Sequence, residues 1–521
     1  MIPSGRRVVI VGAGLGGLSA ACHLASRGVE VTVLERGDRP GGRAGLWAEA
    51  GFRFDTGPAV LTMRGVLEDT FRAADAELTD HLDLVRLDPA YRAAFWDGSA
   101  IHVRAGREAM RDELRSFAGA REVAGYDRFV AWITRLYDIE FDAFIDRDVS
   151  SPLDLLRTPG ALARLIASGG FGRLQNGVDR HFEDERLRRL FAFQAMYAGL
   201  APMQALAMYS VITYLDTVEG VWFPRGGMHE LSTGLADAAT KAGVRFEYDT
   251  DVEHITPRRH GDAARVHTDA GPVDADVVIA NPDLPVAYEQ LTDVEAPRRT
   301  RKGRYSPSCV LWLVGARRAS DDGGTRGTIG VPGAHRSDTA TRARQPGAAP
   351  RVHHTIHFGE AWASAFDELT VRGRPMSDPA RFVSAPSVTD RDLAPAGHDA
   401  LHVLEPVPNL SADLDWNDLE PRLTERMLGW ARDTGQLDGD PVVMRTTTPI
   451  GWQAQGMASG TPFALDHRFT QSGPFRPHLT DRRLPGVVFV GSGTRPGVGI
   501  PMVLISGRLA ADRAERSLAR G

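Results

Sequence analysis

A glycine-rich turn near the amino terminus could bind the phosphates of a dinucleotide. Gly12, Gly14 and Gly17 form the pattern G-x-G-x-x-G. In this pattern the first glycine permits a tight turn, the second lets a pyrophosphate approach the backbone, and the third lets a helix pack on a strand. Glu35 follows Gly12 by 23 residues, where an acid can bind ribose hydroxyls. The spacing therefore predicts a dinucleotide site.

A second pair of residues could take part in acid–base chemistry. Asp154 and Arg157 stand three positions apart in S-P-L-D-L-L-R at 151–157, so both would lie on one face of a helix. A carboxylate there could accept a proton or stabilise positive charge. The same residues also fit a helix start and a surface ion pair, and the sequence leaves both interpretations open.

Metal and disulfide chemistry are less well supported. His353, His354 and His357 stand close together, but no acid or cysteine ligand lies beside them. We therefore interpret them as solvated or hydrogen-bonded histidines on a strand. The two cysteines, Cys22 and Cys309, belong to no C-x-x-C pair. This favours neither a disulfide framework nor a zinc site, and it indicates a reducing compartment.

The elements that would position the glycine turn form a β-α-β unit. Apolar residues predict a strand at 8–11, a helix that Gly28 ends, and a second strand at 29–34. Another apolar strand ends at Asn281, so the chain is predicted to leave this sheet and return to it. The last strand, at 485–490, leads into a glycine-rich turn at 491–501 and a closing helix. Its spacing is not G-x-G-x-x-G, so we interpret this turn as a cover over the same cofactor.

Size and composition set further limits. A chain of 521 residues is expected to form two or more structural units. The net charge of −6 and the lack of a basic patch give no indication of nucleic-acid binding. The first strand begins too early to leave room for a signal peptide. The longest uncharged stretch, 190–215, is interrupted by Pro202, so we predict two buried helical segments rather than a membrane span.

Several separate stretches carry a resemblance to known enzymes. They are R-P-G-G-R-A-G at 39–45, D-T-G-P at 55–58, G-V-W-F-P-R-G-G at 220–227 and V-G-S-G-T-R-P-G-V-G-I-P at 490–501. With the first glycine motif, they make nearly the whole chain resemble the bacterial-type phytoene desaturases of the flavin amine oxidase superfamily. Flavin amine oxidases usually carry an acid where Ser492 stands, and this difference favours the desaturase branch.

The resemblance implies a fold and a division of the chain. The expected class is α/β, or α+β overall, with a Rossmann-like FAD-binding domain, a discontinuous mixed substrate domain and a helical membrane-facing cap. We predict the FAD-binding part at 1–95, 220–290 and 475–521, and the cap at 96–219. The substrate-binding part would cover 291–474, with a mobile insertion at 315–350. A cap surface at 153–174, with arginines beside apolar residues, is predicted to dock on a membrane.

The resemblance also implies an activity. The expected enzyme is an FAD-dependent carotenoid desaturase that converts phytoene stepwise toward lycopene or neurosporene by hydride transfer to the flavin. Asp154 and Arg157 match a family stretch proposed to be catalytic. Quinone or oxygen would accept the electrons, and the protein would lie in the cytoplasm, peripherally on the cytoplasmic membrane.

Two alternatives stay open. Another FAD oxidoreductase of this fold, a carotenoid isomerase or an amine oxidase, would share the motifs. A non-catalytic prenyl-binding escort-type protein would show eroded FAD motifs, whereas these are intact.

The residues that the resemblance implies to bind FAD are Gly12, Ala13, Gly14, Gly16, Gly17, Glu35, Arg36, Gly42, Arg43, Asp55, Gly57, Pro58, Val252, Asn281, Gly491, Ser492, Gly499, Ile500 and Pro501.

Overall fold

The computed structural model describes residues 5–149, 151–258, 262–318 and 351–519. The part of the predicted insertion from 319 to 350 lies outside these residues. Its first residues, Gly315 to Arg317, instead belong to a ten-residue strand. The predicted start of the insertion is therefore too early, because Gly315 is paired with Ala400 on one side and with Val443 on the other.

The described residues form strands and helices that alternate along the chain. The strands are β1 (Arg7–Val11), β2 (Glu30–Leu34), β3 (Leu46–Glu49), β4 (Phe52–Asp55), β5 (Leu84–Arg86), β6 (Tyr91–Ala94), β7 (Ala100–Val103), β8 (Trp222–Pro224), β9 (Arg245–Glu247), β10 (Val252–Thr256), β11 (Ala264–Thr268), β12 (Gly271–Ala275), β13 (Val277–Ala280), β14 (Ser308–Arg317), β15 (His354–His357), β16 (Arg381–Ser384), β17 (His398–Val407), β18 (Val443–Thr447) and β19 (Val487–Phe489).

The α-helices are α1 (Leu15–Ala25), α2 (Arg64–Arg72), α3 (Arg107–Ala118), α4 (Ala120–Glu140), α5 (Pro159–Ala167), α6 (Leu174–Asp179), α7 (Glu185–Leu190), α8 (Ser210–Tyr214), α9 (Glu230–Lys241), α10 (Leu284–Leu291), α11 (Arg298–Arg301), α12 (Ala363–Thr370), α13 (Trp416–Asp433), α14 (Pro449–Ala454) and α15 (Ile500–Leu518). Two π-helical turns, Phe141–Ile145 and Leu215–Glu219, directly follow α4 and α8.

A five-stranded parallel sheet holds the glycine turn. Its strand order is β19-β13-β1-β2-β9, which confirms that the chain leaves this sheet after β2 and returns to it. The strand β1 is central and almost wholly buried, as a parallel strand covered on both faces must be. Helix α15 packs on α1, where the Ser19 hydroxyl donates to the Leu504 carbonyl at 2.7 Å. The first and last parts of the chain thus form one layer.

A seven-stranded mixed sheet lies opposite, in the order β18-β14-β17-β16-β15-β6-β7. The hairpin β6–β7, with Asp97 and Gly98 in its turn, joins this sheet through a parallel pairing with β15. Residues 91–94, which the prediction assigned to the FAD-binding part, therefore belong to the second sheet. The remaining limits of the three parts stay predictions.

Helices α3 to α8 form a layer that we call the cap. Helix α4 is amphipathic and packs on α3, α5 and α8, and a cluster of aromatic rings that includes Phe129, Phe182 and Phe191 fills the space beside it. The stretch 190–215 is mostly buried but consists of short turns, among them the 3₁₀ segment Phe193–Ala198. Within the described residues, no helix combines the length and the apolar character needed to cross a bilayer.

The histidines and cysteines lie in the interior. His353 and His354 are buried, and His353 Nδ1 lies 2.7 Å from the Thr389 hydroxyl. Of the two interpretations, solvated or hydrogen-bonded on a strand, burial contradicts solvation for His353 and His354, whereas the contact of His353 and the place of His354 in β15 agree with the second. Cys22 and Cys309 are buried as free thiols. In the part of the chain that the structure describes, no group of histidine, cysteine and acidic side chains is arranged to hold a metal ion.

Candidate functional site

One large cavity, of about 810 Å³, runs from the glycine turn after β1 into the space beneath the cap. The carboxyl ends of β1, β2 and β13 form one end of it, which is where parallel α/β sheets bind ligands. Of the implied cofactor residues, the cavity is lined by Gly12, Gly14, Gly16, Glu35, Arg36, Gly42, Arg43, Gly57, Pro58, Val252, Asn281, Gly491, Ser492, Gly499, Ile500 and Pro501. The structure thus brings together residues that lie almost 500 positions apart.

The glycine turn has no room for side chains. Gly12 has a φ of +94°, and a Cβ on Gly17 would lie 2.2 Å from the Gly12 carbonyl oxygen. A Cβ on Gly14 would lie 2.9 Å from the Asn281 amide nitrogen. Helix α1 then begins at Leu15. Its free N–H groups therefore lie at this end of the cavity, where they can donate hydrogen bonds to a phosphate. Ala13 and Gly17 also belong to this turn, but they are not among the described residues that line the cavity.

Glu35 ends β2 and holds the turn in place. Its carboxylate accepts from the Ala13 N–H at 2.7 Å and from the Gly37 N–H at 2.9 Å. Each carboxylate oxygen can accept more than one hydrogen bond, so Glu35, which lines the cavity, can still bind a ribose. The acid therefore shapes the turn, and its contact with a ribose stays a prediction.

Arg43 connects the second glycine motif to the closing turn. Its guanidinium donates to the Ser492 hydroxyl and lies 3.3 Å from the Asp283 carboxylate, which is almost fully buried. Gly57 must remain a glycine, since a Cβ there would lie 1.9 Å from the Arg43 carbonyl oxygen. Ser492, which stands where amine oxidases have an acid, is thus a partner of Arg43.

Asp55, which the resemblance implies to bind FAD, connects two loops of the structure. Its carboxylate accepts from the Met228 and His229 N–H groups at 2.8 and 3.0 Å, and it is not among the described residues that line the cavity. Burial raises the pKa of Asp55 to about 6, although the two N–H groups oppose this shift. Asp55 therefore joins the D-T-G-P stretch to the turn before α9 and acts on the site indirectly.

The buried residue Arg476 was missed by the sequence-based reasoning. Its guanidinium donates to the Thr494 carbonyl at 2.8 Å and to the Ser492 carbonyl at 2.7 Å, and burial lowers its pKa to about 10. These bonds fix the closing turn, which ends where α15 begins. A lone arginine in the apolar stretch G-P-F-R-P at 473–477 was the available signal.

Asp154 and Arg157 lie outside the cavity wall. They occupy a 3₁₀ segment, Pro152–Arg157, with 3.1 Å between the carboxylate and the guanidinium. Arg157 is 81% exposed and Asp154 only 13%. Neither is among the described lining residues, but the negative charge of Asp154 reaches Arg495, which lines the cavity. Asp154 and Arg157 therefore form an ion pair, but this pair lies behind the residues that line the cavity.

The far part of the cavity is apolar and aromatic, and it contains two acids. Its wall includes Phe193, Val211, Ile212 and Leu215 from the cap and Phe358 from the second sheet. Glu140 and Asp216 also line it, and both are only 2% exposed. Burial raises the pKa of Asp216 to about 8 and that of Glu140 well above its usual value. Sequence reasoning missed both, although Asp216 directly follows the uncharged stretch 190–215.

The residues present fit an FAD. The crowded glycine turn and the start of α1 suit a pyrophosphate, and the cavity continues past Arg43 and Ser492 to the closing turn at α15. The remaining apolar space can hold a nonpolar substrate beside that ring.

Comparisons with known proteins agree with this arrangement. The sequence model of the flavin containing amine oxidoreductases matches residues 15–378 and 422–514. The chain is 45% identical to a phytoene dehydrogenase of Streptomyces griseus, over 97% of this chain and 94% of that protein. It is 37% identical to a zeta-carotene-forming phytoene desaturase of Myxococcus xanthus, over 98% and 94% of the two chains.

Solved structures support the fold. An oxidoreductase from Methanosarcina mazei aligns with a TM-score of 0.59 at 16% identity, over 96% of this chain and 98% of that one. A putrescine oxidase bound to putrescine aligns with a TM-score of 0.58 at 16% identity, over 99% of both chains. At this identity the likeness concerns the arrangement of the chain alone.

Proposed function

The chain belongs to the flavin-containing amine oxidoreductase family, and on that premise we propose that it is an FAD-dependent carotenoid desaturase that acts on phytoene. One observation carries the proposal beyond the family: the chain is 45% identical, over 97% of its length, to a phytoene dehydrogenase. The cavity agrees with this activity, since it passes directly from the dinucleotide turn into apolar space. A long hydrocarbon needs such a lining because it has no polar group to recognise.

The cofactor-binding role of the individual residues belongs to the proposal. The pyrophosphate would lie on Gly12 to Gly17 and the ribose on Glu35. The flavin end would lie near Arg43 and the closing turn, where the free N–H groups at the start of α15 would favour negative charge. When bound, FAD supplies a hydride acceptor. The ion pair of Arg43 with Asp283 would keep the guanidinium in place beside it.

The chain's own residues would act mainly by alignment. An unactivated hydrocarbon offers no handle for strong binding at the reacting carbons, so most of the rate must come from orientation and exclusion of water. The aromatic residues Phe193 and Phe358, whose rings pack edge to face 5.6 Å apart, both line the space in which a flat polyene would lie. Stepwise conversion toward lycopene or neurosporene would then require the substrate to slide along the cavity between steps.

The alternatives are less well supported. An amine oxidase needs a polar site for the amine, whereas the far cavity wall is largely apolar. A non-catalytic prenyl-binding protein would not need a turn in which Gly17 and Gly57 are both sterically required.

Membrane association is the second part of the proposal. Leu153, Ile166, Phe171 and Phe469 are between 37% and 71% exposed, and the rings of Phe171 and Phe469 lie 5.9 Å apart. Arg157, Arg164 and Arg173 are exposed near them in the chain. Leu165 is buried in the cap, so the proposed surface is smaller than the stretch 153–174. A substrate that dissolves in lipid would reach the cavity from such a surface.

Quinone or oxygen as electron acceptor stays a prediction.

The function is tested by offering phytoene in liposomes to the FAD-loaded protein without oxygen. The expected result is loss of the oxidised flavin absorbance together with products that contain more conjugated double bonds. Oxidation of an amine with peroxide release, while phytoene is unchanged, would instead establish the amine oxidase. Absence of any flavin spectrum after reconstitution would favour the non-catalytic protein.

A further inference from the structure

Asp216 is a buried carboxyl that none of the roles described so far uses. It lies in the π-helical turn Leu215–Glu219, which lines the cavity beneath the cap. Its Oδ2 has no hydrogen-bond partner among the described residues. A buried acid without partners destabilises a fold by the cost of its desolvation. Such a group in the wall of a cavity points to a function, because its burial alone costs stability.

Within the part of the chain that the structure describes, no cation pairs with Asp216 to hold it as a carboxylate. The charge of Asp216 reaches the phenols Tyr91 and Tyr197, both buried and both with raised pKa values. Helix α4, which packs against α8, carries the acids Asp138, whose charge reaches Tyr214, and the buried Glu140. On its own turn Glu219 follows, and Arg86 of β5 donates to the Glu219 carbonyl. Burial is therefore the dominant influence on the pKa of Asp216, and it favours the neutral, protonated carboxyl.

The chain also connects this turn to the cofactor end of the cavity. Six residues after Asp216, the Trp222 N–H donates to the Leu61 carbonyl at 2.8 Å. Leu61 lies in the loop that follows Gly57 and Pro58, and four residues of that loop, Pro58 to Val60 and Thr62, line the cavity. The turn is therefore anchored to the same loop that forms the cavity wall next to Arg43. Asp216 lines the apolar space in which the substrate would lie.

We propose that Asp216 is the base that accepts the proton removed from the hydrocarbon. This inference rests on the proposed desaturase function and deepens it. One C–H bond of the substrate would break and its hydrogen would leave with the electron pair as hydride, for which bound FAD would supply the acceptor. The adjacent C–H bond breaks, its electrons form the new C=C bond, and the proton passes to the Asp216 carboxylate. Asp216 then loses this proton to water when the product has left.

The burial of Asp216 matches this task. A general base is most effective when its pKa lies near the working pH, and burial places the pKa of Asp216 at about 8. Glu140, on the same wall, also has an oxygen that no other described residue contacts by a hydrogen bond, and its negative charge reaches Tyr209 rather than Tyr91 or Tyr197. We therefore assign the proton transfer to Asp216 and use Glu140 as the competing candidate in the test.

The first experiment compares flavin reduction by phytoene in the FAD-loaded wild type, Asp216→Asn, Glu140→Gln and Glu219→Gln. The wild-type rate should rise with pH and level off above about pH 8, because the ionised form is the base. Asp216→Asn should lose about 100-fold in rate and lose the rise with pH. Glu219→Gln, on the same turn but only half-buried, should keep both the rate and the profile.

The second experiment detects the proton itself. Infrared difference spectra of the FAD-loaded protein between pH 6 and pH 10, without substrate, should contain a protonated carboxyl band that Asp216→Asn removes. A difference spectrum that Asp216→Asn leaves identical to that of wild type, an Asp216→Asn rate close to that of wild type, or a loss of the pH profile in Glu140→Gln alone would overturn the inference. These outcomes leave the desaturase function intact. A wild type that leaves phytoene unchanged would refute the function, and the inference with it.

Discussion

Glu35 shows how one side chain can serve two parts of a site. By accepting from the Ala13 and Gly37 N–H groups, its carboxylate holds the glycine turn against the end of β2. The sequence predicted the acid from its spacing, since a β-α-β unit brings the end of its second strand next to the turn after the first. It did not predict the bond to Ala13, because that bond depends on the exact path of the turn.

The crowding around Gly14 makes its replacement a direct test of cofactor placement. In Gly14→Val, the Cβ would lie 2.9 Å from the Asn281 amide nitrogen, and the branched side chain would extend into the phosphate path. We expect purified Gly14→Val to contain little or no FAD, measured by flavin absorbance. Gly65→Ala, where a Cβ meets no described atom within 4 Å, is the matched control and should retain FAD fully. Full FAD content in Gly14→Val would contradict the placement.

Asp154 remains the acid predicted from the sequence, and its place outside the cavity wall allows two roles to be distinguished. Asp154→Asn removes the charge that pairs with Arg157 and reaches Arg495. A direct role in proton transfer predicts a loss of rate of at least 100-fold with FAD retained. A role only behind the cavity wall predicts a change of a few-fold. The measurement is flavin reduction by phytoene, with FAD content and liposome binding determined in parallel.

At the scale of elements, regular pairs of strands and helices were predictable and irregular turns were not. The unit β1–α1–β2 follows from apolar periodicity and glycine spacing. The pairing of β6 with β15 joins residues about 260 positions apart, and no local pattern specifies such a partner. The π-helical turn that carries Asp216 could not be predicted from the sequence either, because its conformation depends on packing between α4 and α8. The cavity acids were missed for this reason.

Three arginines attach the cap to the FAD-binding layer. The Asp148 carboxylate lies 3.1 Å from the Arg495 guanidinium and accepts from Arg513 Nε at 2.7 Å, while Arg508 donates to Asp146. Arg495 also donates to the Val149 carbonyl at 2.6 Å and is 3% exposed. The segment 146–149 is thus fastened to the closing turn and α15 by charge.

Breaking this contact should loosen the cap. Asp148→Asn leaves the buried Arg495 charge without its main partner, and loss of one member of a buried pair costs about 3–5 kcal/mol. We expect a lower midpoint of thermal unfolding and faster proteolysis within the cap. Asp112→Asn on α3 removes an exposed partner of Arg115 and should change stability by less than about 1 kcal/mol. Equal stability of the two variants would show that the cap is held mainly by apolar packing.

For the whole molecule, two kinds of surface meet in one cavity: a polar turn that suits a dinucleotide and an apolar space that suits a hydrocarbon. The sequence predicted the polar turn in detail, because glycines and an acid at these fixed spacings are typical of few sites besides a dinucleotide site. It predicted the apolar space only as an apolar cap, because buried core and ligand lining have the same composition. The distinction required the cavity itself, in which Phe193 of the cap and Phe358 of the second sheet face the same space.

The proposed hydrocarbon substrate would enter this cavity from a lipid phase, and the exposed residues of the cap predict where. Leu153 and Ile166 are 71% and 60% exposed, and transfer of such a side chain from water into an apolar phase gains about 1.5–3 kcal/mol. Leu153→Glu combined with Ile166→Glu should therefore weaken binding to anionic liposomes by at least tenfold, measured by flotation at low salt. Val442→Glu, at an apolar residue 52% exposed beside β18, should float like wild type. Flotation of the double variant equal to that of wild type, or a wild type that does not float, would contradict docking through this surface.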